Sequence, residues 1–163
     1  MTRTFRMLAF AVGASLAPVA ALAQHDAAVV HAGDLAISDV TLAATTPAAP
    51  AAAVYLTIAN AGAAPDRLVS VETTAARRVE IHDTVITDGV ARMTALPDGV
   101  EVPAGGEATL APRGRHVMLM GLTAPLADGA RVPLTLVFET AGRVEIEAPT
   151  HVGAPAQGTG HGG

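Results

Sequence analysis

The sequence predicts an all-β domain, a sandwich or a barrel, on three observations. Short runs of alternating and β-branched residues recur along the chain. Glycine- and proline-containing turn signals separate those runs. Beyond the amino-terminal segment, no stretch carries the apolar period of a helix.

The chain opens on what reads as a signal peptide over residues 1–23. Arg3 and Arg6 precede an apolar run from Met7 to Ala21, and Ala21-Leu22-Ala23 is a small-x-small cleavage site. The run is too short, and too interrupted by Gly13 and Pro18, for a membrane span. The expected product is a periplasmic chain that begins at Gln24 and carries no membrane anchor.

The predicted strands follow in order: 34–42, 53–60, 67–73, 77–84, 89–96, 99–103, 107–111, 116–122, 131–140 and 143–148. Turn signals such as Asn60-Ala61-Gly62, Asp88-Gly89, Pro97-Asp98-Gly99, Gly105-Gly106, Pro112-Arg113-Gly114, Asp128-Gly129 and Ala141-Gly142 lie between them. Residues 43–52 are too rich in alanine and proline for a strand and read as an extended connection. The division expected is a single β-domain over 24–150 and a flexible tail over 151–163.

Composition narrows the chemistry. Cleavage removes Arg3 and Arg6 and leaves eight arginines, no lysine and fifteen carboxylates, a formal charge of −7. That balance argues against a nucleic-acid partner, which needs clustered positive charge. Cysteine is absent, so disulfides, thiol nucleophiles and thiolate metal sites are excluded. Only methionine can supply sulfur to a metal, and Met93, Met118 and Met120 are the three left after cleavage.

Two of those methionines lie in Arg115-His116-Val117-Met118-Leu119-Met120-Gly121-Leu122. On a strand, His116, Met118 and Met120 share one face while Val117 and Leu119 share the other. A second pair flanks a predicted hairpin. With Asp88-Gly89 as the central residues of a type I′ turn, His82 falls opposite Ala95 and Met93 opposite Thr84, so His82 and Met93 become diagonal neighbours on one face. Two imidazoles and two thioethers form a neutral, soft donor set, which selects Cu(I) over Mg²⁺ or Ca²⁺. The bland alternative is that each methionine is core filler and each histidine a surface residue; the matched pairing favours the metal.

The same residues resemble the periplasmic copper chaperones of the PCu(A)C family. The family motif is a histidine, ten residues, a methionine, about twenty-one residues and His-x-Met. Here ten residues separate His82 from Met93, and twenty-two separate Met93 from His116-Val117-Met118. Segments 53–60, 66–71, 79–83, 102–106 and 116–122 also look like that family, and the likeness covers residues 31–150. The extra residue falls in Leu96-Pro97-Asp98, and Pro112-Arg113-Gly114-Arg115 stands where the family usually has Pro-Gly-Gly-aromatic. The resemblance implies a Greek-key β-barrel or sandwich of cupredoxin-like or immunoglobulin-like form. It also implies Cu(I) held by His82, Met93, His116 and Met118, no enzymatic turnover, and delivery to the copper centre of a respiratory cytochrome c oxidase.

The remaining donors have weaker readings. Met120 is either a transfer ligand or an apolar wall beside the metal. Asp83, next to His82, is either an acceptor that orients an imidazole or a solvated carboxylate, and the opposite facing of strand neighbours favours solvation. Gln24-His25 could form an auxiliary Cu(II) site through the terminal amine, a backbone amide and the imidazole. His151 and His161 lie in the expected tail, and His31 precedes the first expected strand without a visible partner. The acceptor would be an oxidase subunit or another copper carrier, and the protein is expected to be a monomer. The alternatives are copper sequestration for tolerance and a metal-free β-sandwich interaction module; an electron-transfer blue-copper site is excluded because it needs a cysteine thiolate.

Overall fold

The computed structural model describes residues 28–153. The expected signal peptide, His25 and His161 therefore lie outside the described residues. Eleven strands occur among them: β1 Val30–Ala32, β2 Leu35–Ala44, β3 Ala51–Asn60, β4 Asp66–Glu72, β5 Ala76–Thr87, β6 Val90–Ala95, β7 Val100–Val102, β8 Glu107–Leu110, β9 His116–Leu122, β10 Arg131–Phe138 and β11 Arg143–Val152. No helix is found among these residues, in agreement with the all-β prediction.

The strands join in the order β6-β5-β9-β3-β2-β11-β10-β4-β7, with β1 beside β2 and β8 beside β3. The inward positions repeat with period two, as alternation in the sequence requires. Val54, Leu56 and Ile58 of β3 face the same core as Leu134, Leu136 and Phe138 of β10 and Val144 and Ile146 of β11. The sheet thus folds over on itself around one core. β11 joins its halves, pairing antiparallel with β10 over 143–149 and parallel with β2 over Thr150–Val152.

Three expectations need correction. The connection expected over 43–52 is shorter, 45–50: β2 runs to Ala44 and β3 starts at Ala51, with Ala44 and Ala52 buried. Alanine has low strand propensity, but tertiary packing of small side chains overrides it. His31 does have a strand partner, Ala36, in the short β1–β2 hairpin that turns at Gly33 (φ 59°). The boundary at 151 is two residues early, because His151 pairs with Ala43 and Thr150 is fully buried. A parallel pairing to a strand a hundred residues away leaves no local signal.

Two polar anchors and one glycine fix the loops around the start of β4. Asn60 donates to the carbonyls of Ala64 and Val102 and accepts from the Gly62 N–H. Gly99 has φ 73°, and a Cβ there would lie 2.0 Å from the Leu68 carbonyl oxygen, so no other residue fits. Buried Asp66 accepts backbone N–H groups from Arg67 at 2.7 Å and from Thr140 and Ala141 at 2.9 Å each. Burial pulls its carboxyl up, but these donors outweigh burial and hold it below the usual carboxylate value.

A carboxylate depressed in the fold contributes stability that is complete above its unfolded value of about 4 and is lost as pH falls through the folded value. The urea midpoint should therefore hold from pH 7 to about pH 5 and fall below about pH 4. Asp66→Asn should cost about 1–3 kcal/mol at pH 7 and flatten the acid limb. An unchanged acid limb in the variant would remove Asp66 as its source.

Candidate metal centre

The outward face of β5, β6 and β9 carries the site. Asp88 (φ 52°) and Gly89 (φ 77°) both lie in the left-handed region, the requirement of a type I′ turn. The turn sets His82 opposite Ala95 and Thr84 opposite Met93, the register expected from the sequence. On its other side β5 meets β9, with His82 opposite His116, Glu80 opposite Met118 and Arg78 opposite Met120. His82 is thus the centre of the set. His116 is directly across from it, Met118 is its diagonal neighbour on β9, and Met93 is its diagonal neighbour on β6.

The two imidazoles are close, with ring centroids 5.8 Å apart in an edge-on arrangement. His116 is only 6% exposed, and Tyr55 of β3 lies against it with a centroid separation of 6.5 Å. Burial raises the Tyr55 phenol further above its ordinary value, so it stays neutral. Met118 and Met120 are half-buried, whereas Met93 is 60% exposed on the ribbon beyond the core. The structure therefore brings His82, His116 and Met118 together on the packed sheet and leaves Met93 at an open corner. Asp83 pairs with Thr94 on the opposite face of the ribbon from His82.

Hydrogen bonds distinguish the ring nitrogens. His82 Nε2 lies 2.8 Å from a carboxylate oxygen of Glu80, which accepts its proton. Arg78 pairs with the other oxygen. Contacts with His82 and then Arg78 hold the Glu80 carboxyl below its usual range. His82 Nδ1 is buried with no hydrogen-bond partner. His116 uses the other nitrogen: its Nδ1 donates to the Gly114 carbonyl at 3.0 Å, which leaves Nε2 with a lone pair. The same carbonyl accepts the Thr84 N–H at 3.2 Å and so ties the turn before β9 to β5.

Glu80 and Tyr55 were not singled out as site residues from the sequence. The signal for Glu80 was present, since it lies two residues before His82 on the same strand face. Among the described residues no group of three or more His, Asp or Glu is placed to hold a metal, so a metal here must draw on the thioethers. The buried, unpartnered Nδ1 fits such a group, because coordination would satisfy it.

The model of the family described as "Putative lipoprotein LpqE-like" matches residues 35–150. The chain belongs to this family, which is the PCuAC family. A relative from Leifsonia xyli subsp. xyli, "Putative lipoprotein Lxx21020", is 35% identical over 92 residues. That match spans 56% of this chain and 55% of the relative, about half of its length. Among solved structures, the copper-bound PCuAC domain from PmoF2 is similar at 28% identity and a TM-score of 0.64, covering 77% of this chain and 98% of that domain. CuI-DR1885 from Deinococcus radiodurans is similar at 33% identity and a TM-score of 0.58, covering 71% of this chain and 77% of that one. The fold is the cupredoxin-like fold of PCuAC domains, and these family members bind copper.

The two histidines should differ in tautomer. In ¹⁵N-histidine spectra of the metal-free protein near neutral pH, His82 should carry its proton on Nε2 and His116 on Nδ1. Glu80→Ala should perturb the His82 pattern and leave that of His116 in place. An unperturbed His82 in that variant would deny Glu80 its positioning role.

Proposed function

We propose that the protein is a Cu(I) carrier of the periplasm that delivers copper to the copper centre of a respiratory cytochrome c oxidase. The observation that carries this reading is the facing pair His82 and His116, each with one ring nitrogen committed to a hydrogen bond and the other free, flanked diagonally by thioethers. His82 Nδ1, His116 Nε2 and the sulfurs of Met93 and Met118 form the donor set. It is neutral and soft, which suits Cu(I). The copper carried by the similar PmoF2 and DR1885 domains supports it.

The same donor set argues for carriage, not catalysis. Three donors rest on packed strands and the fourth stands in solvent on β6. An incoming site can replace the exposed thioether first, so transfer proceeds ligand by ligand without complete release of the ion. Cu(I) is then cargo, and no substrate is turned over. Extracytoplasmic residence agrees with the signal-like residues 1–23 and with the lipoprotein description of the family. The 163 residues contain no cysteine on which a lipid could be carried.

Met→Leu exchange at 93 and 118 nearly conserves volume. The double variant should keep its unfolding free energy within about 1.5 kcal/mol and lose most of its Cu(I) affinity, while X-ray absorption of the loaded native protein should show mixed nitrogen and sulfur scatterers. A shell of nitrogen and oxygen alone, or unchanged affinity in the variant, would sink the donor assignment.

Delivery is tested in cells. A deletion strain should lose oxidase activity when copper is scarce and recover it when copper is supplied. Intact oxidase with reduced copper tolerance would assign the protein to sequestration instead.

A further inference from the structure

β9 pairs with β5 only as far as the row of His82 and His116, and past that row the β5–β6 ribbon pairs with itself. One hydrogen bond, from the Thr84 N–H to Gly114, ties it to the neighbouring turn. Every residue of β6 is exposed. A two-stranded ribbon in water has no core against which to bury side chains. Even so, Val85, Ile86, Val90 and Met93 are 52, 55, 54 and 60% exposed, four of the six exposed large hydrophobics among the described residues. Ile86 and Met93 lie on the face of His82, Val85 and Val90 on the reverse. Apolar side chains concentrated on one projecting element mark a surface that is covered in use.

Charge is segregated in the same direction. Arg67, Arg131 and Arg143 each lie within 4.0 Å of a glutamate. Arg92, Arg113 and Arg115 form no ion pair among the described residues. Arg92 precedes Met93, Arg115 precedes His116, and exposed Arg113 sits in the turn between β8 and β9. Asp83 and Asp88 are the carboxylates of the ribbon itself. Of the four arginines without an ion pair among the described residues, these three thus lie at the metal-bearing end of a chain that is acidic as a whole, and the fourth, Arg77, lies near the start of β5.

We infer that the β5–β6 ribbon, with Arg92, Arg113 and Arg115, is the docking surface for a copper-accepting protein whose own face is acidic around an apolar centre. This rests on the Cu(I)-carrier reading. Apolar anchors rimmed by arginine are the composition of protein interfaces, and complementary charge sets their encounter rate. A second copy is a poor occupant, since it would offer the same patch, with three arginines against Asp83 and Asp88, and no acidic face. An anionic membrane would meet one ribbon face alone and repel the acidic body. Arg92 lies with Val85 and Val90 on the face opposite Met93, so the acceptor must grip the ribbon from both faces, and that grip brings it to the exposed thioether of Met93, where ligand exchange would begin.

The test is transfer of Cu(I) from the loaded protein to the soluble copper-centre domain of cytochrome c oxidase, followed by stopped flow. Native protein is compared with Arg92→Glu/Arg115→Glu and Val85→Ser/Val90→Ser, none of which alters a proposed ligand. Competition with bathocuproine should give all three the same Cu(I) affinity within about twofold. Both variants should transfer about tenfold more slowly at low salt, and added salt should slow the native protein but not the charge-reversed one. Native transfer with both variants equally fast overturns the docking surface and spares the carrier reading. Absence of transfer from the native protein overturns delivery to the oxidase, and this docking partner with it. Self-association in sedimentation velocity that the valine variant abolishes, or binding to phosphatidylglycerol vesicles that the arginine variant abolishes, would assign the ribbon to another occupant and overturn the proposal.

Discussion

Val79 and Ile81 of β5 are set against Leu119 and Val117 of β9, and the burial of that group is the constraint on which the outer chemistry of the sheet depends. Each such side chain contributes on the order of 1.5–3 kcal/mol when fully buried. A one-residue slip of β5 would turn Val79 and Ile81 to water and drive Glu80 and His82 inward, away from His116 and Met118. The register is therefore held by the core, and the donors on the outer face follow without needing contacts of their own. The facing of His82 and His116 is a by-product of hydrophobic packing.

What packing cannot do is choose a ring nitrogen, and here the hydrogen bonds act. Glu80 takes the Nε2 proton of His82, while the Gly114 carbonyl takes the Nδ1 proton of His116. Each imidazole is fixed in orientation and keeps one lone pair. A carboxylate behind a metal-binding histidine also makes it a better donor. Glu80 is in turn held by Arg78, so the support of His82 runs along alternate residues of one strand.

The turn before β9 is strained at the point where it serves the site. Ala111-Pro112-Arg113-Gly114 closes with the Gly114 N–H donating to Ala111, and Arg113 occupies its third position at φ 68°. Glycine is the usual residue there, and a side chain costs roughly 1–2 kcal/mol. The compensation is local: the turn presents the Gly114 carbonyl to both His116 and Thr84. The longer spacing between Met93 and His116 does not disturb this arrangement. Leu96-Pro97-Asp98 lies in the loop between β6 and β7, past the last ribbon pair at Ala95.

The sequence by itself determined the local structure. Alternation set which face of each strand is buried, and Asp88-Gly89 set the hairpin register that makes His82 and Met93 diagonal neighbours, because both are interactions between residues near in the chain. The absence of cysteine left methionine as the soft donor before any fold was known. Only the tertiary structure decided which strands are neighbours. β9 beside β5 puts the two His/Met pairs on one surface, and β11 in parallel beside β2 extends the domain through His151 and Val152. It also decided the roles of Glu80 and Tyr55, whose meaning depends on what lies within hydrogen-bond or ring-contact distance. Such pairings are selected by burial summed over the whole core, a quantity that no short window of residues contains.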